Sequence, residues 1–189
     1  MHAAFKSLSL LTISIGTKAV LSILVFLLAA KNWGSQEFGA FIYDFSLASL
    51  LGILCEYGFS GQILRNGKSP ASTLIPFFAA KIWLALGTVM VAVALVLLGA
   101  VENATVFIIV LASVLVASFY DFFSTYLRAT DQTSLDFRIS SSTNLLSAVF
   151  LVLVLNSFSG VELFCLAMLI ARIFQLCLMA AFSGGQFSC

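Results

Sequence analysis

An all-α, polytopic membrane protein, a bundle of six transmembrane helices, is the fold class this sequence predicts. Three observations carry it. Hydrophobic residues make up 61% of the 189-residue chain and charged residues 9%, with a mean hydropathy of +1.13. A soluble domain carries about 25% charged residues, so this chain cannot cover a globule with polar surface and its solvent is the bilayer. Second, six apolar stretches reach the ~20 residues that a helix needs to cross the hydrocarbon core. Third, the period-two alternation of a half-buried strand is absent.

The six spans fall at about 9–31, 38–63, 75–99, 104–127, 137–157 and 161–183, and form a single unit over 1–189. The first is long enough to span and ends without a small-residue cleavage site, so it stays as a signal anchor. "KNWGSQE" (31–37) and "NGKSPAS" (66–72) bring glycine, serine and proline to the next two connections. Pro76 belongs in the first turn of span three, where its missing N–H costs little. "LGAVEN" (98–103) and "NSFSG" (156–160) read as short turns. In "RATDQTSLDF" (128–137), Thr133 stands three residues before Asp136, a capping-box spacing that starts span five.

Loop cations set the orientation. Lys6, Arg65, Lys68, Arg128 and Arg138 lie on the amino-terminal side and only Lys31 on the other, which puts both termini in the cytoplasm. The sequon Asn103-Ala-Thr105 then lies outside, though a chance match explains it as well. No basic run suggests nucleic acid. Cys55, Cys165 and Cys177 lie in apolar segments without a CxxC or a histidine pair, so they read as small hydrophobes and no metal is expected. His2, the single histidine, reads as a solvated terminal residue. Ser-His and Cys-His pairs are missing within the spans, and no phosphate-binding glycine loop is present. Asp121, Asp131 and Asp136 lack the spacing of a metal-dependent lipid transferase. No catalytic residue, cofactor or enzyme activity is expected.

Six charges fall within the spans: Lys18, Asp44, Glu56, Lys81, Asp121 and Arg172. Each costs on the order of 2.5–3.5 kcal/mol at mid-bilayer, so they turn away from lipid. Their neighbours show the direction. Ser14, Lys18 and Ser22 recur every four residues, as do Gly52, Glu56 and Ser60; Arg172 and Gln175 share a face of span six. At ~1.5 Å per residue, Glu56, Lys81 and Asp121 share a layer roughly 10 Å inside the cytoplasmic face. Lys18 and Arg172 lie near the midplane and Asp44 near the external mouth. Glu56 and Lys81 read either as a structural pair between spans two and three or as part of a cavity lining; Asp121 fits that lining or the headgroup zone. Two midplane cations with only Asp44 above them make a positive, hydrated interior, suited to an anionic passenger such as a phosphate or acidic sugar. Gly58 and Gly61 permit close helix approach or, alternatively, bending beside Glu56.

Three stretches carry a family likeness. "AKNWGSQEFGAF" (30–41) resembles the turn after the first span of polysaccharide and lipid-linked oligosaccharide flippases, of the multidrug/oligosaccharidyl-lipid/polysaccharide exporter superfamily. "EYGFSGQILRN" (56–66) is similar to that family's D-x-G-(L/F)-x signature, with Glu56 in place of aspartate and Gly58 and Phe59 matching. "YLRATDQTSLDFRISSSTNLLS" (126–147) looks like its connection between spans four and five. The resemblance covers residues 10–150, and the last two spans through hydropathy alone. It implies architectural roles for Gly34, Phe38, Gly39, Glu56, Gly58 and Arg128, and a lipid-linked anionic glycan turned across the bacterial inner membrane by alternating access between two six-span lobes. Such flippases have twelve or more spans, so the chain is expected to be an amino-terminal lobe, a truncated product, or a half that pairs with a second six-helix half. Two alternatives stand beside it: a cation-coupled drug antiporter of the same superfamily, with Asp44 and Glu56 as ion or proton sites, and a non-transporting remnant or assembly partner.

Overall fold

The computed structural model describes the backbone of residues 2–56, 59–66, 75–130, 132–158 and 160–184, with side chains assigned from residue 9 to residue 182 in most of these. Gly58, Asp131 and the connection at 67–74 lie outside the described residues, as does the side chain of Ser14. Of the described residues 94% are helical, and none lies in a strand. Among the described residues, six helices follow in order: α1 (His2–Glu56), α2 (Phe59–Asn66), α3 (Ile75–Leu97), α4 (Ala104–Ala129), α5 (Thr133–Ser157) and α6 (Val161–Gly184). Five helical segments, counting α1 with α2 as one, are long and apolar enough to cross a membrane, as expected of a multi-pass membrane protein.

The loop expected at 31–37 is a single residue. α1 runs through the whole of "KNWGSQE" except Gly34, whose φ of 78° and ψ of 176° leave the helical region. That corner of conformational space is essentially reserved for glycine. Lys31, Asn32, Ser35 and Gln36 tolerate helix, no proline intervenes, and one glycine suffices to turn the chain. The turn is a full reversal. A continuous helix would hold residues 26 and 45 about 28 Å apart, yet the rings of Phe26 and Phe45 meet edge-on at 5.2 Å. α1 is therefore a hairpin of two antiparallel limbs, 2–33 and 35–56. Phe26 and Trp33 of the first limb also meet Phe41 of the second, and Ala29 and Ala48 are fully buried in the core that the limbs join.

α4 is the central helix, packed against α1, α2 and α6, while α5 lies against α1 and α6. Gly52 marks the closest approach of α1 to α4: a Cβ there would collide with Cγ1 of Val114. α3 is peripheral and buries only Lys81, Thr88 and Ala92, leaving Trp83, Met90 and Leu97 more than 70% exposed. Such exposure of large apolar groups suits a lipid-facing helix.

Aromatic packing closes the bundle at the Gly34 end. The Trp33 indole stands edge-on to Phe41 at 5.4 Å and to Phe164 of α6 at 5.1 Å, with Phe38 6.3 Å from Phe41. Asn32 Nδ2 donates to the Leu155 carbonyl at 3.2 Å, and Tyr43 Oη to that of Ala100 at 3.1 Å. The connection at 98–103 is the expected turn, whereas α5 runs on through Ser157 and Ser159 lies outside the described residues. Gly99, at φ 70°, ends α3 with its own N–H on Val96 and that of Ala100 on Leu95, the paired bonds of a Schellman cap. The Asn103 side chain then caps α4, accepting from the backbone N–H groups of Thr105 and Val106 at 3.1 and 3.3 Å. Pro76 stands in the first turn of α3.

At the opposite end the expected capping box does not form. α5 begins at Thr133 itself, after Gln132, and Asp136 turns to α4. Arg128 Nε donates to Asp136 Oδ2 at 2.6 Å, Ser124 Oγ to Oδ1 at 2.7 Å, and Arg128 Nη2 to Ser124 Oγ at 2.7 Å. An ionised partner outbids a neutral threonine N–H for a carboxylate. Arg128 sits in the last turn of α4 and Asp136 in the first turn of α5, so each also complements its helix dipole.

Candidate functional site

Lys18 and Arg172, 154 positions apart in the sequence, line one cavity. Its volume is about 140 Å³, and its walls come from both limbs of α1, the second through Phe45, and from α4, α5 and α6. The four-residue recurrence of Lys18 and Ser22 places both on the cavity side of α1, and Ser22 satisfies its hydroxyl on the Lys18 carbonyl at 2.8 Å. Lys18 Nζ lies 3.8 Å from Asp121 Oδ1 of α4, and both side chains are about 40% exposed. An ion pair this long and this open is a loose one: water or a second polar surface must reach it, because hydrocarbon would not solvate it.

Arg172 is held by a polar ladder between α6 and α5. Its Nη1 donates to Gln175 Oε1 one helical turn on, at 3.0 Å. Gln175 Nε2 donates to Asn144 Oδ1 at 3.2 Å and to Ser147 Oγ at 3.0 Å, and Asn144 Nδ2 to Ser140 Oγ at 3.3 Å. Gln175, only 1% exposed, thus has its amide satisfied. The ladder leaves the guanidinium with donors to spare, since arginine carries five and Gln175 takes one. Asp121 is the carboxylate that acts on Arg172 electrostatically, and it also pairs with Lys18. The same carboxylate also acts on Lys81.

Asp121 also faces a second, smaller cavity of about 10 Å³, together with Glu56, Ser60, Lys81 and Ser118. Lys81 is 2% exposed; its Nζ donates to Ser118 Oγ at 2.7 Å and lies 5.6 Å from the Phe119 ring centroid and 5.9 Å from that of Phe122. Glu56 and Lys81, which the sequence reads either as a structural pair or as cavity lining, both line this cavity, with Glu56 acting electrostatically on Lys81, whose ammonium also reaches α4. Its stem is long enough to reach the serine, and the two ring faces favour a cation there.

Asp44 lies apart from both. It is 1% exposed and faces a third cavity, of about 510 Å³, at the Gly34 end of the bundle. Of the positions carried over from the family likeness, Gly34 is the hairpin corner and Phe38 belongs to the aromatic cluster beside it. Gly39 is exposed in the second limb with open space around it, and Arg128 forms the Asp136 pair. The sequence pattern also sets Ser118 in one polar stripe with Asp121, Thr125 and Arg128, but Asn144 and Ser147 were passed over; both were visible as a polar face, since Ser140, Asn144 and Ser147 repeat at helical spacing in "SSSTNLLS". Among the described residues, no cluster of three or more His, Cys, Asp or Glu side chains is placed to hold a metal ion.

No protein-family model, curated protein or solved structure matches this chain.

Proposed function

We propose that the protein is a membrane transporter lobe that receives the anionic headgroup of a lipid-linked glycan in the Lys18–Arg172 cavity and passes it across the bilayer by alternating access. The observation that carries this reading is the convergence of Lys18 and Arg172 on one cavity, beside the single loose ion pair of Lys18 with Asp121. An anion entering there meets spare guanidinium donors and an ammonium whose present ion pair is loose. Arginine suits phosphate for its fork of donors, lysine as a point charge.

Size refines the reading. At about 30 Å³ per water, a cavity of about 140 Å³ holds four or five waters. That is room for a phosphate-sized group and too little for a sugar repeat, so only the headgroup sits here and the glycan stays in a wider space. A second six-helix half, in another chain or a longer one, would supply that space and cover the exposed Lys18–Asp121 pair. The hairpin at Gly34 supports counting α1 as two spans, which gives six in all. With the loop cations inside, both termini face the cytoplasm of a bacterial inner membrane. The excess of cationic groups in the cavity disfavours a cationic drug as passenger.

Flipping of a fluorescent lipid-linked anionic glycan in proteoliposomes tests the proposal. Lys18→Gln and Arg172→Gln should each abolish it while leaving membrane abundance unchanged. Transport at wild-type rate in both variants would refute it.

A further inference from the structure

The Lys18–Arg172 cavity is not uniform along its length. From Lys18 to Val25 in α1, from Asn144 to Leu151 in α5 and from Arg172 to Phe164 in α6, polar lining gives way to apolar. All three steps run toward the Gly34 end, where Phe164 meets Trp33 and α5 receives the Asn32 bond. Each covers about 10–12 Å of helix. The second limb of α1 adds Phe45 at the apolar end, its ring 5.2 Å from that of Phe26. Ser113 lies on the α4 wall at that level, but its hydroxyl is turned back to the Ile109 carbonyl at 3.1 Å. The polar end is the open one, with the Lys18 side chain 40% exposed, whereas Val25, Phe164 and Met168 are buried. Water at the apolar end lacks the two to four polar partners that hold a buried water in place. Hydrocarbon there needs none, and gains by leaving water.

We propose that the cavity is an amphiphile site. It takes a phosphate-type anion at Lys18 and Arg172 together with an apolar group, bonded directly to that anion, between Val25, Phe45, Phe164 and Met168. The inference rests on the anion site already proposed and narrows its ligand. Inorganic phosphate engages only the polar end, and so does a phosphate joined only to sugar; a phosphate ester of a hydrocarbon engages both ends. Two sources offer that chemistry: the first carbons of a lipid carrier's chain, next to its phosphate, and a small free amphiphile.

Isothermal titration calorimetry on the intact, purified chain in detergent tests this, with protein-free micelles as the reference for partitioning. The ligands are inorganic phosphate and the methyl, ethyl, propyl, butyl and geranyl phosphates. Affinity should rise along the series from methyl to butyl, by up to about fourfold per methylene. The rise should flatten in Met168→Gln, which brings an amide to the apolar end, and persist in Met168→Leu, which keeps that end apolar. Geranyl phosphate separates the sources: affinity that keeps rising to it marks a carrier lipid's chain, and a rise that stops at butyl marks a small free amphiphile. One affinity for inorganic phosphate and every ester would overturn the inference and leave the anion site standing. Binding of none of them would overturn the anion site as well. A rise undiminished in Met168→Gln would place the hydrocarbon elsewhere and overturn the inference too. The wild-type series decides by itself if Met168→Gln folds poorly.

Discussion

Replacing Gly34 with alanine tests the hairpin that organises α1. At φ 78° and ψ 176° the residue occupies a region that costs a side-chain-bearing residue about 1–3 kcal/mol. A Cβ at Gly34 would meet nothing within 4 Å, so the whole effect is conformational and no steric repair can offset it. Gly39, five positions on, is the internal control. It is helical, and a Cβ there also meets nothing within 4 Å. Alanine at that position is expected to stabilise by about 0.5–1 kcal/mol through helix propensity. The two variants should therefore differ by roughly 1.5–4 kcal/mol in reversible unfolding with a denaturing detergent, followed by circular dichroism. Gly34→Ala and Gly39→Ala of equal stability would refute the account of the turn.

Further expectations follow from the packing and the ion pairs. Gly52→Ala forces Cβ onto Val114 Cγ1 and should destabilise by about 1–3 kcal/mol, with Val114→Ala restoring most of that loss in a double-mutant cycle; additive single effects would contradict the contact. Arg128→Gln leaves the carboxylate of Asp136 buried without its cation and should cost about 3–5 kcal/mol in the same unfolding assay. Asp136→Asn should cost less, because the Arg128 side chain is 28% exposed and can turn to water; the reverse order would show that the arginine is the more deeply held partner. Ser147→Ala removes an acceptor from Gln175, which still keeps Asn144. It should reduce glycolipid flipping only a few-fold if the ladder positions Arg172, and a loss as complete as that of Arg172→Gln would make Ser147 a contact residue instead.

What the sequence disclosed and what it hid divide by range. Polar stripes at four-residue spacing are local, and they point Lys18 and Arg172 inward before any contact is known. The turn at 98–103 is local too, with Gly99 ending α3 and Asn103 capping α4 as those residues usually do. Gly34 marks the limit of composition: "KNWGSQE" reads as a loop because of its polarity, but its residues are adequate helix formers and only the glycine departs. Pairings across elements were beyond local reading. Asp136 has a good capping position at hand and abandons it for Arg128, a choice decided by charge and by the approach of α4 to α5. Lys81 likewise reaches a serine and two rings on α4 that no local pattern announces. Such choices depend on distances that hydropathy does not contain.

Water access to the Lys18–Arg172 cavity tests the central claim most directly. In a background free of native cysteines, single cysteines at positions 18, 147 and 172 and at the lipid-facing positions 27 and 153 can be exposed to a charged, water-soluble methanethiosulfonate. Leu27 is 62% and Leu153 59% exposed, so accessibility to a bare probe does not favour the cavity positions. The account predicts rapid labelling at 18, 147 and 172 and none at 27 or 153. Labelling confined to 27 and 153, with the three cavity positions inert, would contradict it.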